Sequence, residues 1–293
     1  MRAAELALRI EAKLGEGALW DDRLQRLLWI NIPCGEIHVF DPSKGSDSIV
    51  CSLATSIGTV VQRERGGLLA AAGDGFRFVD EAGGASTLVC SPERHRPTNR
   101  FNDGKCDPAG RMWAGTMDNA EAARGAGSLY CLDGDMTCRR MEEGVTISNG
   151  IAWSPDGKTM YYTDTPTHVI WAYDYDNGTG SIKNRRVCVE IANGEGGPDG
   201  FTVDAEGTLW VAQWGGWQVG RYDPLTGRKL GQISVPAAHV SSCALGGANL
   251  DTLYITTARK GISDDELTNQ PLAGCLFAAK VDATGMKANR FAG

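Results

Sequence analysis

No apolar run in the sequence approaches the ~18 residues that span a bilayer, so a helical membrane protein is excluded. The amino-terminal stretch MRAAELALRIEAKLGEG is interrupted by Glu5, Arg9 and Glu11, and no secretory apolar segment is read there. Positive charge is in deficit: Lys+Arg number 29 against Asp+Glu 36, for a net charge of -7. A nucleic-acid or anionic-membrane partner would call for a basic patch and is not expected. The 9 cysteines are scattered evenly, and no C-x-x-C occurs. Thiolate-zinc and thioredoxin-like sites are therefore not read; small buried thiols in a reducing compartment are, which predicts a cytoplasmic protein. H-x-x-x-H, H-E-x-x-H and G-x-S-x-G are all missing, so zinc-protease and nucleophile-elbow chemistry lack their residues. No segment holds a 3.6-residue apolar period over three turns, which excludes stacked helical repeats.

What is abundant is glycine, 38 of 293 residues, in a chain that is 42% hydrophobic. That combination predicts a large core built from many strands and tight turns. Turn signals recur before apolar runs: Asp21–Leu24 before LLWIN, Asp107–Gly110 before RMWAGT, Ser154–Gly157 before KTMYYTD, and Asp204–Gly207 before TLWVAQ. Weaker copies precede Leu69 and Tyr254. The strand centres Trp29, Leu69, Trp113, Tyr161, Trp210 and Tyr254 recur with a period of about 45 residues. A second alternating run ending in Asp follows each first one, as in GEIHVFD (Gly35–Asp41) and WQVGRYD (Trp217–Asp223). In the fifth repeat Gly215-Gly216 reads as a two-residue hairpin turn. One four-stranded sheet cannot cover both its faces, but six packed radially can. The expected fold is all-β, a six-bladed β-propeller with a central channel, in one domain over residues 1–293.

Counting back five residues from the start of each turn gives Glu16, Gly58, Asn102, Asn149 and Asp199; alignment through Tyr254 adds Ser242. Equivalent positions of a cyclic repeat form a ring, here near the start of each innermost strand. Asn, Asp and Gly also open strands as turn residues, yet turn chemistry does not demand one register in four repeats. Two acids and two amides converging on a channel mouth suit a hard divalent cation, which relieves the repulsion between facing carboxylates. Arg100 is placed either to hold substrate oxygens or to pair with a nearby acid. Long connections at 118–126 and 259–273 are expected to wall or cover this mouth.

Other features carry less. His38, His95, His168 and His239 are isolated. Asp174–Gly178 resembles the opening of a calcium loop but lacks the downstream Glu, and is expected to be a turn. Gly194–Gly197 is expected to be a flexible loop near the channel mouth. The tryptophans are expected to pack between blades, with Trp214 and Trp217 partly exposed.

Five stretches resemble the SMP-30/gluconolactonase/LRE (regucalcin-like) family of sugar lactonases: Leu14–Trp20, Arg100–Asp118, Ile147–Thr165, Pro198–Trp214 and Gln270–Phe277. The resemblance implies a six-bladed propeller holding one divalent cation (Ca, Zn, Mn, Mg or Fe(II)) on Glu16, Asn149 and Asp199. It implies substrate contacts from Arg100 and Asn102, with Glu121 the nearest counterpart of a further family glutamate in a shorter loop. The activity it implies is hydrolysis of a sugar (aldono)lactone, with Asp199 as catalytic base. A phosphotriesterase or promiscuous esterase, and a calcium-binding regulatory propeller without turnover, are the alternatives.

Overall fold

The computed structural model describes residues 2–293. Six antiparallel sheets follow one another along the chain, each running from an innermost to an outermost strand. Their innermost strands are Gly15–Asp21, Ile57–Gln62, Asn99–Cys106, Ser148–Trp153, Gly197–Val203 and Val240–Gly246, which open blades one to six. Each packs on the next, and that of blade six packs on that of blade one, so the strands enclose a channel. The ring is closed by the chain's beginning: Glu5–Leu8 pairs antiparallel with Leu276–Lys280 as the outermost strand of blade six. Arg2–Ala3 adds a parallel fifth strand to blade five.

The turns of blades three and five owe their form to their first side chain. Asp107 Oδ1 accepts from the backbone N–H of Ala109 and Arg111 at 2.9 and 2.8 Å, and Asp204 Oδ1 accepts from Glu206 and Thr208 at 3.1 and 2.8 Å. Their second oxygens receive the indole N–H of Trp113 at 3.0 Å and of Trp210 at 2.9 Å. One buried carboxylate thus shapes the turn and fixes the aromatic of the next strand, which packs between blades.

Three sequence expectations change in detail. The fifth-blade hairpin is wider than two residues: Gln213 and Gln218 are its last paired residues, and Trp217 joins the turn with φ 59°. The 194–197 segment is anchored: Gln213 Nε2 donates to Glu195 O at 2.8 Å, and the Glu195 carboxylate meets Lys229 Nζ at 2.8 Å. Asp174 to Asp176 still belong to the strand Val169–Asp176; the turn begins afterwards and is held by Asp176 Oδ1. No described helix is long and apolar enough to cross a membrane.

Candidate active site in the propeller channel

Every innermost strand carries a one-residue bulge close to the ring position: the register shifts at Glu16/Leu19, Ile57/Thr59, Phe101/Asp103, Asn149/Ile151, Pro198/Phe201 and Val240/Ser242. A bulge kinks the strand and re-aims the side chains next to it. In blades one, four and five it directs Glu16, Asn149 and Asp199 into one cavity of about 340 Å³, which Arg100, Asn102 and Glu121 also line. All six residues singled out from the sequence therefore meet at one channel mouth. Gly58 and Ser242, the small ring members, serve packing. A Cβ on Gly58 would come within 2.4 Å of Phe101 O and 2.7 Å of Asn102 N, so blade two can approach the Arg100–Asn102 segment only without a side chain there.

The ring acids are buried and face each other. Burial, then Asp199, then Asp103 push the Glu16 carboxyl well above its usual value. Burial and Asp103 do the same to Asp199. One oxygen of each side chain accepts from the glycine after it: Gly17 N–H to Glu16 Oε2 at 3.1 Å, Gly150 N–H to Asn149 Oδ1 at 3.3 Å, and Gly200 N–H to Asp199 Oδ1 at 3.0 Å. Thr165 fixes the Asn149 amide, accepting from its Nδ2 at 3.0 Å while donating to Pro198 O at 2.9 Å. Among the described residues no three His, Cys, Asp or Glu side chains converge as an ion cage. The ring instead offers two carboxylates and an amide oxygen. Two buried acids without a direct cationic partner are the donor set that a hard divalent cation fits.

Asp103 was missed by the repeat count. It repeats the same local bond, Gly104 N–H to Asp103 Oδ1 at 2.7 Å, and lies buried within electrostatic reach of Glu16 and Asp199. Burial pushes its carboxyl up to about 6, against the pull of Lys105. Asn102 has both amide atoms engaged: its Nδ2 donates to Ser148 O at 2.8 Å, and its Oδ1 accepts from Arg100 Nη1 at 2.7 Å. The two bonds fix the Asn102 amide beside Arg100. The Arg100 guanidinium is buried, which lowers it from its ordinary value, while Glu121, Glu16 and Asp199 pull it back up. Glu121 forms an ion pair with Lys260, from the far side of the mouth. The wall is completed by Leu14, Met117 and Ile147 and by Trp214, whose ring stacks on His239 with centroids 4.1 Å apart. Trp214 is thus a cavity wall, while Trp217 is exposed.

Propeller and ring together define a class: six blades around a channel, with an oxygen-donor site at one mouth. The profile described as the SMP-30/Gluconolactonase/LRE-like region matches residues 14–259, and the chain belongs to this family. It is 37% identical over 290 residues to YvrE of Bacillus subtilis, provisionally named a sugar lactone lactonase, covering 99% of each chain. Regucalcin of Danio rerio is 38% identical, with 97% of this chain and 95% of that one covered. The crystal structure of a calcium-binding protein, regucalcin, from Agrobacterium tumefaciens superposes with a TM-score of 0.94 at 30% identity, covering 99% of this chain and 97% of that one.

Proposed function

We propose that the protein hydrolyses sugar (aldono)lactones to aldonic acids, using one divalent cation held by Glu16, Asn149 and Asp199. The observation that carries this reading is the convergence of buried Glu16, Asn149 and Asp199 with Arg100 in one cavity. The family relatives named for lactone chemistry support it. A bound cation supplies Lewis acidity, polarising the lactone carbonyl and acidifying water. The chain's residues do the rest. Asp199, a carboxylate facing the cavity, takes the proton from the attacking water. Arg100, aimed by Asn102, steadies negative charge building on the carbonyl oxygen. The Trp214–His239 stack gives the C–H face of a sugar ring an aromatic wall. The mouth sets three acids, Glu16, Glu121 and Asp199, against the two bases Arg100 and Lys260.

The test is proton release from five- and six-membered aldonolactones by metal-stripped protein resupplied with Ca, Mg, Mn, Zn or Fe(II). Turnover should require a cation. Glu16→Gln should lose cation affinity, and Asp199→Ala should lose at least about 100-fold in kcat, the scale of a missing general base. Cation binding without turnover on any lactone would move the reading to a calcium-binding regulatory propeller. Turnover confined to phosphotriesters or simple esters would move it to that class of hydrolase.

A further inference from the structure

We propose that Lys260 is a specificity-determining residue, which holds Glu121 across the channel mouth so that hydroxylated rings are admitted in preference to alkyl lactones. The proposal rests on the lactonase reading above and adds to it a residue and a basis for selection. Lys260 follows the second strand of blade six, Thr252–Thr257, and Glu121 follows the second strand of blade three, Met112–Asp118. Blades three and six stand opposite each other in a ring of six. The Lys260–Glu121 ion pair therefore spans the opening above the ring acids, and both residues line the cavity beneath.

Both ends of this crossbar are anchored. Asp118 Oδ2 accepts from the backbone N–H of Ala122 and Ala123 at 2.9 and 3.1 Å, and Glu121 N donates to Asp118 O at 3.0 Å. On the far side Lys260 N donates to Lys13 O at 2.8 Å. Its neighbour Arg259 is held by Ala273 O at 3.1 Å and by Glu11. The helix Asp264–Asn269 that follows is fixed by a capping box between Ser263 and Glu266. Two rooted loops thus present opposite charges to each other at a fixed span.

The pair itself is weak. Its side chains are 41% and 38% exposed, and exposed ion pairs contribute about 0–1 kcal/mol. It opens readily, so what matters is what replaces it. Glu121 also lies within electrostatic reach of Arg100 below it, making a line of alternating charge from Lys260 to Arg100. A ring bearing several hydroxyls can donate to the carboxylate and accept from the ammonium as it enters. An alkyl lactone separates the charges and gives nothing back. Sites built to hydrogen-bond a hydroxyl reject analogues that lack it far better than apolar pockets reject an added one.

The test compares wild type, Lys260→Met, Glu121→Gln and the charge-keeping Lys260→Arg, all with cation bound. The first readout is amide hydrogen exchange. Lys260→Met should raise exchange in segment 119–126, across the mouth, by up to about fivefold, and Lys260→Arg should keep the protection. The second is the ratio of kcat/KM for an aldonolactone over an unsubstituted alkyl lactone of the same ring size. That ratio should fall by about tenfold or more in Lys260→Met and in Glu121→Gln, and stay near the wild-type value in Lys260→Arg. Exchange in 119–126 that ignores residue 260, or a ratio unchanged in an active Lys260→Met, overturns the proposal. Wild type that opens no lactone overturns the functional reading and the choice of ligand, while the exchange result still decides whether the crossbar exists.

Discussion

Four side chains in the channel make the same small bond, an acid or amide oxygen receiving the N–H of the following glycine: Glu16, Asp103, Asn149 and Asp199. That bond holds each oxygen still, but it is too weak to offset the burial of acids that face one another. Glu16 and Asp199 are raised well above their usual values, and Asp103 to about 6. The folded chain therefore binds protons here more tightly than the unfolded chain does. Its stability from these groups is complete below their unfolded values, about 4, and is lost as pH rises through the folded ones. Cation-free protein should melt at a lower temperature at pH 8 than at pH 5, with part of the fall centred near pH 6. Added divalent cation should raise the melting temperature more at pH 8 than at pH 5, with a stabilisation free energy of about 2.7 kcal/mol at a hundredfold excess over Kd. Calorimetry with chelator and with cation checks this, and a cation effect equal at both pH values would refute it. The convergence of Glu16, Asn149 and Asp199 was legible in the sequence because their distance to the next turn is constant. Asp103 was not, because in blade three the bulge residue is Asn102 itself and the count lands on it. The dipeptides Glu16-Gly17, Asp103-Gly104, Asn149-Gly150 and Asp199-Gly200 were the signal that would have found it.

At the level of the element, the turn carboxylates explain why the repeat could be read at all. Asp107 and Asp204 are each asked for two backbone bonds and one indole bond, a demand that no other side chain of that length meets. Asp204 is fully buried, with Arg221 Nη2 3.4 Å away. Asp204→Ala would leave Trp210, two backbone donors and part of a guanidinium without their acceptor. It should cost about 3 kcal/mol or more in denaturant unfolding, with Asp204→Asn intermediate. A midpoint equal to wild type would show that the turn holds without it. The loops were less legible. Their positions followed from repeat length, yet the Lys260–Glu121 contact joins residues 139 apart, in segments with no periodicity. The wider turn at Trp217 escaped for a related reason, since an aromatic residue at positive φ gives no turn signal.

For the whole molecule, strand count and radial order followed from the period, whereas the manner of closure did not, because a repeat count is indifferent to which end supplies the last strand. Glu5–Leu8 supplies it. Deleting residues 1–8 should lower the melting temperature by many degrees and promote aggregation, since it bares the edge of Leu276–Lys280. A thermal melt unchanged by that deletion would mean that the ring stands without its clasp. The same clasp sets a timetable on the ribosome. The strand Glu5–Leu8 has no partner until the one at 276–280 follows, nearly a whole chain later. At ordinary synthesis rates that wait is on the order of tens of seconds. Through it five blades stand as an open arc, and the newborn protein must stay unentangled until its first residues meet its last sheet.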